Sequence, residues 1–193
     1  MNAAAGTICA GMATTRHMTA EEFSQLPDDG RVLELVRGIV VEVEPPPGVQ
    51  HEYVVGRVAR LLGNHVEEHG LGAVVGGPGF VLARGPDDVR APDVAFIGPE
   101  HADEVARTPG YWAGAPDLAI EILSPSNSLP ELERKAGEWL AAGARAVLLL
   151  APRQRTATVF RQAGDRRDHE SEDSIDLEDV VPGWRPRLAD LLS

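Results

Sequence analysis

The stretch PDLAIEILSPSNS, residues 116 to 128, decides how this chain folds. Residues 118 to 123 form an apolar run too short for a helix and right for a buried β-strand. Glu121 sits in the middle of it, and a lone carboxylate inside an apolar strand is costly unless something compensates it. The Ser-Pro-Ser-Asn that follows is a turn signal, with Ser124, Ser126 and Asn127 as the turn and helix N-cap residues. Next comes LPELERKAGEWLAAGA, whose Leu132, Ala136, Trp139 and Leu140 recur at helical spacing and face a core.

An upstream segment resembles this one. APDVAFIG, residues 91 to 98, puts Asp93 at the start of a second apolar strand. Side chains alternate across a strand, so Val94 and Phe96 share one face while Asp93, Ala95 and Ile97 share the other. In the later strand Leu118, Ile120 and Ile122 share one face, and Ala119, Glu121 and Leu123 the other. Each acid therefore has an alanine beside it on its own face. That pattern predicts neighbouring strands of one sheet, one face packed on helices and the other lining a cleft. Two carboxylates held close repel, and one takes up a proton unless a cation sits between them. Mg²⁺ suits such a place, because it takes oxygen ligands, often one or two carboxylates with waters and phosphate oxygens. A nearby ammonium would complete a site for cleaving phosphodiesters. The chain has 18 basic residues and only one is lysine, Lys135, in the helix that follows the Glu121 strand. Lysine is a compact point charge where arginine is a planar fork.

Outward from this centre, TAEEF predicts a short helix capped by Thr19 with Glu22 completing a capping box. RVLELVRGIVVEVEPPP alternates around Gly38, with residues 39 to 43 a strand ended by prolines. Val54, Val55, Val58, Leu61, Leu62 and Val66 mark a helix stopped at Gly70. GAVVGGPGFVLARG reads as a Gly-rich pair of strands or one broken strand, and RAVLLLAP and TATVFRQ as two adjacent strands. The order predicts an α/β or α+β domain, a mixed sheet flanked by helices.

A chain of 193 residues suits a single domain, here 18–193 after a flexible tail at 1–17. The lone cysteine, Cys9, excludes an intrachain disulfide, which with no signal-peptide pattern points to the cytoplasm. No apolar run reaches the roughly 20 residues of a membrane span. The net charge of −12 argues against a protein that wraps nucleic acid in a basic surface. Residues 165 to 179 hold eight acidic and two basic residues, which reads as a solvated loop.

RAPDVAFI, PDLAIEILSPSNS and ERKAGEWLAAGA together resemble the Uma-type (Uma two) restriction endonuclease family of the PD-(D/E)XK, or restriction-endonuclease-like, superfamily. MTAEEFSQLPDDGRVLELVRGIV, the prolines after it and His51 at the head of a helix extend the resemblance over about residues 18 to 193. It implies a restriction-endonuclease-like core and hydrolysis of DNA with Mg²⁺ (or Mn²⁺). It implies Asp93 and Glu121 as metal ligands, with the backbone carbonyl of Ile122 as a third. The superfamily's usual lysine two residues after the second acid is Leu123 here, and the family pattern supplies Lys135 from the helix instead. Glu34 matches an acidic position, as auxiliary ligand or water-orienting group, and His51 matches a family histidine. By analogy with the superfamily, a homodimer is expected. AVLLLAP departs from the family's typical YWLVDP.

Plainer readings stand beside these. Glu121 could be a structural ion pair with Lys135 or an arginine, and Glu34 a surface salt-bridge residue. A non-catalytic module that keeps the nuclease fold is the alternative function, and RNA or a small phosphoester the alternative substrate. GGPG lacks the Lys-Ser/Thr of a P-loop, and no serine stands in a G-x-S-x-G elbow.

Overall fold

The computed structural model describes residues 17–27, 29–42 and 48–193. Cys9 and nearly all of the tail expected at 1–17 lie outside the described residues.

The chain begins with α1 (Ala20–Ser24), whose N-cap Thr19 and Glu22 form the reciprocal capping box the sequence predicts. β1 (Leu33–Val36) and β2 (Ile39–Glu42) pair antiparallel with Val36 opposite Ile39. The two-residue turn between them puts both Arg37 and Gly38 at positive φ, the backbone that matches the twist of a tight hairpin. The long α2 (Val49–His69) buries His51, Val54, Val58, Leu62 and Val66 along one stripe and stops at Gly70, which takes the left-handed conformation a glycine adopts freely.

Next come β3 (Ala73–Gly76), β4 (Phe80–Ala83), β5 (Asp88–Arg90) and β6 (Val94–Ile97), followed by α3 (Pro99–Arg107) and the short β7 (Trp112–Ala113). β8 (Leu118–Ile122) leads into α4 (Leu129–Ala141), whose capping box is made by Ser128 with Glu131, just beyond Ser124, Ser126 and Asn127, the residues expected to form the turn and N-cap. β9 (Ala146–Ala151), β10 (Thr156–Arg161), β11 (Arg166–Glu170) and α5 (Leu188–Leu192) complete the order.

These strands form two mixed sheets, where the sequence suggested one. The first has the order β2-β1-β5-β4-β7, the second β11-β10-β9-β8-β6-β3. The chain changes sheet five times, between β2 and β3, β3 and β4, β5 and β6, β6 and β7, and β7 and β8; the step from β5 to β6 runs through Ala91 to Asp93. In the second sheet β6 and β8 are antiparallel neighbours, with Val94 opposite Ile120 and Phe96 opposite Leu118. β8 and β9 run parallel, joined through α4 as such a connection requires.

The alternation predicted for β6 and β8 is borne out. Val94, Phe96, Leu118, Ile120 and Ile122 pack with α2 and α5 in the main core. Ala95, Ile97 and Ala119 pack on the other side against Ala136 and Trp139 of α4 and Phe80 of β4. This second face does not line a cleft along its length. The alanines leave room for Trp139, so a helix covers the face and only its end stays open. Leu140, expected in the core, is half-buried.

Residues 165 to 179 also depart from expectation. Arg166–Glu170 form β11, paired along β10 with Thr158 opposite Asp168, because β10 offers a free edge. Among the described residues, no helix is long and apolar enough to cross a membrane.

Candidate active site

The antiparallel register of β6 and β8 continues one step past Val94 and sets Asp93 beside Glu121. Asp93 stands at the crossing from the first sheet to the second, with its side chain about one quarter exposed. Its Oδ2 accepts a 2.6 Å hydrogen bond from the Ile122 backbone N–H. Glu121, on the last turn of alternation before β8 ends, is only 4% exposed.

Glu121 is compensated from two sides by α4. The Trp139 indole Nε1–H donates to Oε1 at 2.7 Å. Lys135, one turn earlier on the same helix face, brings Nζ to 3.2 Å from Oε1 and 3.3 Å from Oε2. Burial nevertheless wins and pushes the Glu121 carboxyl up to about 7, against the pull of Lys135 and with a further push from Asp93. Burial works against the charge on Lys135 too, but Glu121 and Glu34 outweigh it and hold the ammonium above its ordinary range.

Glu34 comes from β1 of the other sheet. Its Oε1 lies 3.1 Å from Lys135 Nζ, and its Oε2 accepts from Arg90 Nη1 at 2.7 Å. Burial raises this carboxyl, but Lys135 and Arg90 more than offset it and keep it below the usual carboxylate range. Lys135 Nζ also donates to the Ala91 carbonyl at 2.9 Å. His51, on the first turn of α2, sets Nε2 3.0 Å from the Ile122 carbonyl and 3.4 Å from Asp93 Oδ2. A carbonyl only accepts, so Nε2 carries the hydrogen. The contact with Asp93 raises the His51 pKa, while burial pulls it the other way.

The structure thus brings together all the residues the sequence nominated: Asp93, Glu121, Ile122, Lys135, Glu34 and His51. They line a cleft of about 470 Å³ where the two sheets meet, with Ser126 and Asn127 on its rim. Sequence reasoning missed Arg90, a buried guanidinium with nothing in its neighbourhood to distinguish it from the other arginines. It also read Trp139 as core alone, where the indole both fills the core and donates to Glu121.

The donor set fits a hard divalent cation. Asp93 and Glu121 offer carboxylate oxygens, and the Ile122 carbonyl keeps a second lone pair beside the one His51 occupies. The costly charge on buried Glu121 is what a cation would relieve. Among the described residues no group of three His, Cys, Asp or Glu side chains could hold an ion, so a cation here would take the backbone oxygen and water as well.

The fold is shared with a solved protein. The chain matches a "putative nuclease" belonging to DUF820 from Anabaena variabilis ATCC 29413 with a TM-score of 0.79 at 20% identity, covering 91% of this chain and 97% of that one. At that identity the likeness establishes the fold. The family Uma2, described as "Putative restriction endonuclease", matches residues 20–191, and the chain belongs to that family. No curated protein matches the chain.

Proposed function

We propose that this chain is an endonuclease that hydrolyses DNA phosphodiester bonds with Mg²⁺ (or Mn²⁺) held by Asp93, Glu121 and the Ile122 carbonyl. The observation that carries the reading is the meeting, at one end of the β6–β8 pair, of two carboxylates and the chain's only lysine. Bound there, such a cation would polarise the phosphate and acidify a water. Lys135 serves as a fixed positive charge for the phosphate and the developing oxyanion. It is not a general base, because Glu121 and Glu34 hold its proton. Glu121 is poised to exchange a proton for a metal, since burial makes its bare charge costly. His51 orients Asp93 and the Ile122 carbonyl through one N–H.

Plasmid DNA incubated with the purified protein tests this. Cutting is expected with Mg²⁺ or Mn²⁺ and is expected to stop with EDTA. Glu121→Ala that cuts as well as the parent would sink the assignment.

A non-catalytic module is the second reading, favoured by a Lys135 ammonium whose three N–H groups all have acceptors within the protein. Calorimetric titration with Mg²⁺ separates the two. Binding lost in Asp93→Ala supports the metal site, and no binding in the parent supports the module.

A further inference from the structure

Lys135 shares its charge between carboxylates on opposite sides, Glu121 on β8 and Glu34 on β1. Its position therefore depends on how strongly each one pulls. Glu34 is restrained from behind by Arg90, whose Nη1 donates to Glu34 Oε2. The Nη2 of the same guanidinium forms an ion pair at 2.9 Å with Glu138 Oε2. Glu138 lies three residues after Lys135 on α4, where positions three apart are neighbours on the helix surface. Arg90 itself ends β5, directly before Ala91, whose carbonyl is the third acceptor for Lys135. One buried fork thus ties together the strand that carries Glu34, the helix that carries Lys135, and the crossing that carries Ala91 and Asp93. Arginine suits this work because its planar donors point two ways at fixed angles.

The consequence is a balance. With Arg90 present, each Glu34 oxygen has its own cation. Without Arg90, both oxygens turn to Lys135, and Glu34 draws the ammonium away from Glu121. We propose that Arg90 is a positioning residue which, by holding Glu34, keeps Lys135 over Glu121 and the Ala91 carbonyl. This rests on the reading of Lys135 as the cation of the site, and its primary test needs neither metal nor DNA.

Protein labelled with ¹³C,¹⁵N-lysine gives one side-chain ammonium (Nζ) resonance, because the chain has one lysine. Arg90→Gln is expected to shift that resonance in the parent. The same change made in a Glu34→Gln background is expected to leave it nearly in place, because the effect passes through the Glu34 charge. An unmoved signal in the parent, or equal shifts in both backgrounds, overturns the proposal. If Arg90→Gln does not fold, Arg90→Met keeps an unbranched stem of similar length and loses the fork without adding a lysine, and an unmoved signal in that variant overturns it equally. On plasmid DNA, kcat should fall at least tenfold with KM within about twofold, and the loss should disappear in the Glu34→Gln background. A parent that cuts no DNA would refute the nuclease reading and leave the resonance test standing.

Discussion

The two ends of the β6–β8 pair carry the same tripeptide, Ala-Pro-Asp, with opposite outcomes. Because the strands are antiparallel, Asp93 and Asp117 stand at opposite ends of the ladder. Each accepts a hydrogen bond from the backbone N–H that closes the partner strand, Asp93 from Ile122 at 2.6 Å and Asp117 from Gly98 at 2.8 Å. The local device is the same, and the surroundings differ. Asp93 faces Glu121, with His51 and Lys135 converging on the same end. Asp117 faces the apolar Ile97 and steadies Gly98, the N-cap of α3, with Arg145 at 3.7 Å. A Pro-Asp before a strand is thus a way to finish a ladder. It becomes a candidate site only where the neighbouring strand delivers a second acid.

The sharpest way to break this comparison is to neutralise each aspartate in turn. Asparagine keeps an oxygen to accept the backbone N–H and removes the charge. Asp93→Asn is expected to lower Mg²⁺-dependent cleavage about a thousandfold, and Asp117→Asn to leave it within about threefold. Similar losses in a plasmid assay would mean that the two ends are not functionally distinct.

Glu121 supplies a second contrast, because no counterpart stands beside Asp117. Its folded carboxyl lies at about 7 against an ordinary 4.5, so the folded state holds the proton more tightly. That contribution to stability is present below about pH 4.5 and is lost as pH rises to about 7. Without metal, the stability of Glu121→Gln relative to the parent should therefore climb across that window, by on the order of 3 kcal/mol. Urea titrations at several pH values measure it. A flat difference would show that the ion pair with Lys135 fully compensates burial.

The smallest effect belongs to the structural end. Asp117→Ala removes the acceptor for the Gly98 N–H and should cost about 1–2 kcal/mol, read as a lower midpoint in thermal unfolding. Unchanged stability would make Asp117 dispensable to α3.

Much of this was legible because long-range consequences were written in short-range patterns. The alternation in β6 and β8 fixed which side chains face each helix, and the apolar spacing of α2 and α4 gave their buried stripes. Asp93, Glu121 and Lys135 were readable because a charge in an apolar run and a single lysine both stand out. The split into two sheets was not, since β3 and β4, or β5 and β6, differ in partner and not in pattern. α3 escaped because it buries none of its residues, so no apolar face announces it. Arg90 escaped because its role lies in two carboxylates, 56 residues upstream in one case.

β11 has a meaning beyond its own pairing. It is the outermost strand of its sheet, and an outermost strand is an open template on which a second molecule can stack. Its sequence is Arg-Arg-Asp-His-Glu, with Arg166 bridging to Glu133 of α4 and to Asp168 of its own strand. Another chain that tried to lengthen the sheet there would have to align its backbone against this dense row of charge. The mixed charge of this strand makes the edge a poor template for lengthening the sheet.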